Sequence, residues 1–545
     1  MKKIYLILIV LITGFVSCTD QFADFNTDKK NPAVVPGEML FSNGQKELSD
    51  FVNNTNVNIN IFKLMAQYWT ETTYVDETNY DLITRNISTN IYLRLYLRVL
   101  KDLNESSKII TATDVLTSQE AVKANKLAII ELVNVYAYSQ LVDVFGNIPY
   151  TQALDPENVY PVYDDAHDIY KDLLVRLDAA LGKLDAGAES FGSADLYYGG
   201  DVAAWVKFGN SLKIRIAITI ADGDNALAKA AVESAVGKCF TSNSDDCLMK
   251  YSTSAPNYNQ LYADLVASGR HDFVPANTFV DKMAVLVDPR MDSYFSSKLN
   301  VTFPKSNKLK PNERQADTVL VEKPILIYYN NGTKMVLTPD SILDVVKNKN
   351  VFGIAFAQAD TILAPAYYLG GDYGSLDSWG SKSHICDAVQ TPDFPGIMLT
   401  YSEIQFYLAE AKERGYTVPG TAESYYNAAI TASFDFWGTS GAAAYLAKPE
   451  VAYTTAVGPT ATWRQKIGLQ SWIANYTRGL EAYNTWRRLD YPILYVSKNV
   501  TSYSDIPVRF TYPVNEQTLN ADQYQAASTA IGGDLVTTKL FWDKY

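Results

Sequence analysis

Apolar residues recur at intervals of three and four along most of this chain, which is the period of an amphipathic α-helix. After the two N-cap candidates Asp164 and Asp165, one such stripe consists of Ile169, Leu173, Leu177, Leu181 and Leu184. Residues 127–144 are instead apolar on nearly all sides, which predicts a buried central helix. Helical patterning covers about 38–290 and resumes after about 400.

The middle of the chain, roughly 300–390, has a different pattern. Two apolar runs, 325–329 and 334–337, flank Asn330-Asn331-Gly332-Thr333, and Asn-Gly between apolar runs predicts a β-hairpin. The glycine- and aromatic-rich stretch 366–380 is expected to be an ordered loop. The predicted fold class is therefore mainly α, with helix pairs joined by short turns as in a degenerate helical repeat. Loops and a small β-hairpin insertion at about 300–390 are expected to decorate it.

The N-terminus has the pattern of a secretory signal. Lys2 and Lys3 precede an apolar run, residues 4–16, that at about 13 residues is too short to span a bilayer. Small or apolar residues directly before Cys18 suit a bacterial lipoprotein signal peptidase, so we expect residues 1–17 to be removed and Cys18 to be acylated, palmitate included. An ordinary secreted protein with a chance cysteine is the alternative. Residues 18–37 are expected to be a tether and 38–545 a single domain.

Charge and cysteine content narrow the range of partners. The formal net charge is −13, and it becomes −15 if Lys2 and Lys3 leave with the signal. This acidity argues against nucleic acid as a partner, because phosphate binding needs a basic surface.

Cys239 and Cys247 lie eight residues apart around a polar segment and could close a small disulfide loop outside the cytoplasm; two free thiols are the alternative.

Motifs for catalysis are missing from the sequence. It contains no HExxH, GxSxG, Walker A or GxGxxG pattern, and His167, His271 and His384 are far apart along the chain. Asp222-Gly223-Asp224-Asn225 begins like a calcium loop, but Leu227 occupies the position that needs glycine. No enzyme activity, metal or cofactor is therefore expected, although a carboxylate pair for glycoside hydrolysis remains open among 60 acidic residues.

Short motifs follow one another in order through nearly the whole mature chain. They are Phe22-Ala23-Asp24-Phe25-Asn26-Thr27 with Asn31-Pro32, Ala66-Gln67-Tyr68-Trp69, Asp143-Val144-Phe145-Gly146-Asn147-Ile148-Pro149-Tyr150, Pro161-Val162-Tyr163-Asp164, Trp205 to Lys213, Asp288-Pro289-Arg290, Glu403 to Ala411, Gln470-Ser471-Trp472-Ile473, Trp486-Arg487-Arg488, and Tyr512-Pro513 with Glu516 and Asn520. In this order and spacing they resemble the SusD/RagB nutrient-binding outer-membrane lipoproteins, and within them the SusD-like proteins of the second type.

The resemblance implies tetratricopeptide-like helix pairs in a right-handed scaffold, lipid-anchored on the outer face of the outer membrane. It also implies a SusC-type TonB-dependent β-barrel transporter as partner, over which the lipoprotein closes as a lid. The ligand would be an oligosaccharide, or in some members a peptide. A surface glycoside hydrolase and a helical adaptor that binds only proteins are the remaining alternatives.

The family's motifs do not assign ligand contacts, so the binding residues are predicted from their chemistry. Sugar rings need aromatic faces, and their hydroxyls need amides and carboxylates, on loops that a rigid scaffold holds. Two segments have this composition, and the alternative is that their aromatics anchor the loops into the core. The candidate residues are Tyr367, Tyr368, Asp372, Tyr373, Asp377 and Trp379 in the first, and Tyr74, Asp76 and Asn79 in the second.

Overall fold

A computed structural model describes residues 35–297, 368–454, 462–497, 499–500 and 505–545, and between 299 and 367 the backbone of short strands. Cys18, the predicted signal and the tether up to residue 34 lie outside the described residues, as does the side chain of Tyr367. The prediction of a mainly α fold is confirmed. The α-helices are Gly37–Asn53, Phe62–Met65, Ile87–Leu93, Lys101–Ala112, Glu120–Phe145, Ala166–Leu181, Val202–Thr219, Asn225–Ala235, Gln260–Tyr262, Asn277–Val285, Met291–Tyr294, Tyr401–Glu413, Ala422–Phe436, Ala442–Leu446, Trp463–Ala474, Gly479–Leu489, Glu516–Leu519 and Ala521–Ala530.

Neighbouring helices along the chain pack against each other in pairs. Tyr401–Glu413 packs on Ala422–Phe436, and Val202–Thr219 packs on Asn225–Ala235. Asp165 caps its helix by accepting from the backbone of His167, at 2.9 Å, as the sequence predicts. These pairs hold one continuous core that runs from the first helix to the C-terminal segment.

The helix Glu120–Phe145 is buried along most of its length, which confirms the predicted central helix. The stretch 117–145 is long and apolar enough to cross a membrane, but 83% of its most apolar window lies inside the protein. Its Asp143 carboxylate accepts from Arg215 Nη2 at 2.7 Å, and Arg215 Nε donates to Glu481 at 2.9 Å. All three side chains are buried, so this ion cluster joins three helices inside the core.

Short strands are concentrated between 295 and 367. The strands are Trp69–Glu71, Ile148–Pro149, Tyr163–Asp164, Cys247–Met249, Phe273–Pro275, Phe295–Ser296, Leu299–Phe303, Lys310–Pro311, Thr318–Leu320, Ile325–Tyr328, Lys334–Leu337, Ile342–Asp344, Asn350–Val351, Ile354–Ala355, Ile362–Tyr367, His384–Ile385 and Gly396–Leu399. The predicted hairpin is confirmed, since Ile325 pairs with Leu337 and Tyr328 with Lys334 in antiparallel register. Ile325–Tyr328 also pairs with Ile362–Tyr367, which leads directly into the predicted aromatic loop.

The disulfide between Cys239 and Cys247 is not formed, which corrects that prediction in favour of its alternative. Cys239, Cys247 and Cys386 are free and buried. Cys239 follows the helix Asn225–Ala235, whereas Cys247 lies in a strand that pairs with Gly396–Leu399. Burial raises the pKa of the Cys239 and Cys247 thiols, which keeps them in the protonated form.

The Arg487-Arg488 pair is part of the architecture. Arg488 Nη1 lies 2.7 Å from Glu410, and both side chains are buried. Arg487 donates to the backbone carbonyls of Asp143, at 2.7 Å, and Val508, at 2.9 Å. These contacts tie the helix Gly479–Leu489 to its neighbours, so the pair is not available to an acidic ligand.

Candidate ligand-binding site

The structure brings the two predicted segments together through a third segment that the sequence did not single out. The strand Trp69–Glu71 pairs antiparallel with Phe273–Pro275, and Gly371 forms a bridge to Ala276 at the end of that strand. Segments 69–80, 268–277 and 368–384 therefore form one contiguous region. Tyr68 and Trp69 are completely buried beneath it and belong to the core.

Gly374 lies at the junction of the two predicted segments. Its carbonyl accepts from Asn79 Nδ2 at 2.9 Å, and its N–H donates to Thr70 Oγ1 at 3.2 Å. Its φ of +73° is one that glycine adopts without strain, and a Cβ there would lie 2.0 Å from Ser497 Oγ. Asn79 also accepts from Ser497 Oγ, so the predicted ligand contact Asn79 is engaged in holding the loops together.

Two of the predicted loop aromatics anchor the loop. Tyr368 and Tyr373 are buried, with hydroxyls that donate to Asp292 Oδ1 at 2.9 Å and to the Leu64 carbonyl at 3.0 Å. Burial raises the pKa of both phenols. These two tyrosines therefore follow the alternative given for the loop aromatics, since their rings pack into the core and anchor the loop.

The predicted loop carboxylates close the loop upon itself. Asp377 Oδ2 accepts from the backbone N–H of Asp372 at 2.6 Å, and Asp377 Oδ1 lies 3.1 Å from Lys382 Nζ. Asp372 Oδ1 in turn accepts from Asn277 Nδ2 at 3.4 Å. These contacts make the Tyr368–Ser383 loop rigid, which is what a scaffold for an aromatic platform requires.

Trp379 is half-buried in this loop, with imidazole rings nearly parallel to its indole. The His271 ring centroid is 4.0 Å from that of Trp379, with planes inclined by 19°, and the His384 centroid is 3.6 Å away at 12°. Burial lowers the pKa of His384, so this imidazole is neutral at neutral pH. The prediction that Trp379 stacks on a ligand stays a prediction.

Tyr74 is exposed, at 64%. Together with Arg270 and Asp272 it lines a cleft of about 390 Å³, to which the Tyr368–Ser383 loop contributes no lining residue. Asp76 lies beside it, exposed, with its carboxylate 3.7 Å from Arg85. Since His271 lies between Arg270 and Asp272 in the chain, Tyr74 and Trp379 both adjoin the 270–272 segment.

Most residues of this cleft were missed by reasoning from the sequence. The sequence did contain a signal for this cleft, the closely spaced asparagines of residues 53–60. Each asparagine side chain can both donate and accept a hydrogen bond, which suits the hydroxyl groups of a ligand. The cleft is lined by Thr55, Asn56, Val57, Asn58, Glu71, Thr73, Tyr74, Arg85, Asp264, Ser268, Arg270, Asp272 and Phe273.

A buried pair of carboxyl groups lies under the cleft. Burial, reinforced by the neighbouring Glu77, raises the pKa of Glu71 to about 9, so Glu71 is protonated at neutral pH. Its Oε2 accepts from the backbone N–H and the hydroxyl of Thr78, at 3.0 and 2.9 Å. Glu77 is ion-paired with Arg85, whose Nε lies 2.5 Å away. Within the described ranges, no group of three or more His, Cys, Asp or Glu side chains is placed to hold a metal ion.

The described residues form a mainly helical protein with an open cleft beside Tyr74. The sequence profile of the SusD-like family, described as starch-binding and associating with the outer membrane, matches residues 29–309 and 356–513. The chain therefore belongs to the SusD-like family. The strands from Lys310–Pro311 to Ile354–Ala355 fall between the two matched stretches.

Solved structures of the same fold include several SusD homologues. A chitin-binding protein has a TM-score of 0.70 and 23% identity, covering 93% of this chain and 100% of that one. A SusD homologue from Bacteroides uniformis has 0.69 and 23%, covering 93% and 99%. A chitin-binding SusD homologue from Flavobacterium johnsoniae has 0.67 and 23%, covering 93% and 97%. At these identities the likeness establishes the fold. A search of the curated proteins finds no significant match.

Proposed function

We propose that this protein binds oligosaccharides at the cell surface through the cleft beside Tyr74 and the loop that carries Trp379. The cleft itself is the observation that carries the proposal. Its volume of about 390 Å³ lies within the range typical of ligand sites. Its lining alternates amides, hydroxyls and charged groups with an exposed tyrosine, which suits the hydroxyls and the apolar face of a sugar ring. The family's description as starch-binding supports the same ligand class.

Delivery to a transporter is the second part of the proposal. A SusC-type TonB-dependent barrel would take the ligand from the cleft, and the acyl chains on Cys18 would keep the protein at the outer membrane beside that barrel. One acyl chain gives marginal membrane binding, so stable anchoring needs several chains on the same cysteine. We expect Cys18→Ala to leave the protein unlipidated and released from the membrane fraction. Continued anchoring of Cys18→Ala through a covalent lipid would refute this part.

Calorimetry with residues 19–545 tests the ligand class. The probes are maltoheptaose, chitohexaose and a mixture of peptides. We expect a glycan to bind, and we expect Tyr74→Ala to weaken it about tenfold, because one aromatic stacking contact contributes up to ~1.5 kcal/mol. Tyr160→Ala is the matched control, since Tyr160 is as exposed, at 62%, but does not line the cleft.

The same experiment separates the alternatives. Trp379→Ala is expected to weaken glycan binding without lowering the melting temperature. Unchanged affinity would remove Trp379 from the site. Binding of peptides but no glycan would establish the peptide-binding alternative, and release of shorter sugars from the probes would establish a hydrolase. A complex with a barrel but no small ligand would favour the protein-binding adaptor.

A further inference from the structure

Trp379 is covered on both faces by histidines from two different segments. His271 belongs to the segment that lines the cleft, and His384 follows the aromatic loop. Both imidazole centroids lie within 4.0 Å of the indole centroid, and both planes are nearly parallel to the indole. Two imidazoles on the same indole face at these distances would overlap, so they must lie on opposite faces. No indole face is therefore open to a sugar ring in this conformation.

The two histidines are held very differently. The His384 imidazole is fixed at both nitrogens: Nδ1 lies 2.8 Å from Ser297 Oγ, and Nε2 lies 3.2 Å from the Trp379 carbonyl. The His271 side chain is exposed, and within the described part of the chain its imidazole makes no hydrogen bond. The backbone of His271 is nevertheless anchored, because its carbonyl accepts from Thr72 Oγ1 at 2.6 Å. Only the imidazole can leave readily, by a rotamer change on the picosecond to nanosecond scale of exposed side chains.

We propose that His271 is a removable cap on the sugar-binding face of Trp379, and that a sugar ring displaces this imidazole and stacks in its place. His384 is the fixed support on the opposite face, which keeps the indole oriented while the cap is away. This inference rests on the proposed glycan-binding function and adds a specificity device to it. A sugar ring displaces the imidazole only if its stacking free energy on the indole exceeds that of the imidazole. Sugars with a flat apolar face are therefore favoured over ligands that stack weakly.

The cap competes with the ligand, so its removal should strengthen binding. The free energy of one such ring stack changes an equilibrium constant by roughly two- to tenfold. We therefore expect His271→Ala to bind maltoheptaose or chitohexaose roughly two- to tenfold more tightly than the wild type. His167→Ala is the matched control, since His167 pairs with Asp224, 3.0 Å away, on a different part of the surface. Unchanged or weaker binding by His271→Ala, with the wild type still binding, would overturn the cap and leave the proposed function standing.

A measurement without ligand tests the cap independently of glycan binding. The measurement is the quenching of Trp379 fluorescence by acrylamide, in the wild type and in His271→Ala. The signal of Trp379 alone is obtained by subtracting the fluorescence of the same protein carrying Trp379→Phe in addition. We expect His271→Ala to increase the quenching constant of Trp379, because the outer indole face becomes open to solvent. An unchanged constant would overturn the cap even if no glycan bound. Failure of the wild type and every variant to bind any glycan would instead refute the proposed function.

Discussion

Replacing Glu71 by glutamine is expected to make the protein less sensitive to rising pH. In the native state this carboxyl is held protonated under the cleft, with a pKa of about 9 caused by burial and by Glu77. In the unfolded chain a glutamate has a pKa of about 4.3 and is ionised at neutral pH. Glutamine resembles the protonated acid: its carbonyl can accept from Thr78 and its amide can donate to Glu77, but it does not titrate.

The magnitude follows from proton linkage. Between pH 4.5 and 9 the native state of the wild type binds one proton more than the unfolded state at Glu71, so its stability falls by about 1.4 kcal/mol per pH unit. This stabilisation is fully present below the unfolded pKa and is lost as pH rises through the native one. From pH 5 to pH 8 the loss is about 4 kcal/mol. For a chain of roughly 500 residues the unfolding entropy is about 1 kcal/mol per kelvin, so the loss equals about 4 °C in Tm.

Thermal unfolding of both proteins at pH 5, 6.5 and 8 checks this expectation. The Tm of Glu71→Gln minus that of the wild type should grow by about 4 °C from pH 5 to pH 8. Asp264 and Lys63, whose pKa values are also shifted, are present in both proteins and cancel in this difference, whereas Glu77 hydrogen-bonds Glu71 and its titration is part of the measured effect. Glu157→Gln serves as the control, because this glutamate is exposed. A Tm difference that is the same at all three pH values would refute a protonated native Glu71.

Two further substitutions test the scaffold of the site and the core. Gly374→Ala should destabilise the protein by about 1–3 kcal/mol and weaken glycan binding, because the new Cβ would lie 2.0 Å from Ser497 Oγ and the backbone φ is +73°. Gly380→Ala is the control: its Cβ would lie in open space, so neither the Tm nor the affinity should change. Arg215→Met should destabilise by about 3–5 kcal/mol, since it leaves the buried Asp143 carboxylate without its ion-pair partner and removes the shorter of the two ion pairs of Glu481. A Tm no lower than that of the exposed control Lys171→Met would refute this role for the Arg215 cluster.

Local regularities of the sequence were sufficient for the secondary structure. The 3.6-residue period, the Asp165 cap and the Asn-Gly hairpin depend on neighbours a few residues apart, and each is found where the pattern predicts it. The start of the helix Tyr401–Glu413 shows the limit of such reasoning. Ser402 and Gln405 have capping-box spacing, yet the helix begins at Tyr401 with Thr400 as its cap, 3.3 Å from the Glu403 amide. The Glu403 side chain is buried in the charge cluster of the core, where it pairs with Arg478.

The site illustrates what local patterns leave undecided. Composition marked the aromatic loop and the Tyr74 segment as two separate candidates, but it did not show that they lie in one region or which of their side chains face solvent. That choice depends on partners distant in sequence, since Tyr373 reaches the Leu64 carbonyl and is thereby buried.

The sequence by itself determined the fold class, the family and the absence of catalytic motifs, because these depend on periodicity and on short motifs in order. Tertiary structure alone decided that segments 69–80, 268–277 and 368–384 meet, that the cysteines stay free, and that His271 and His384 enclose Trp379. The physical reason is that the burial of Tyr373 and the stacking of His271 on Trp379 join residues about 100 to 300 positions apart, and the packing of the whole helical core determines whether such residues meet.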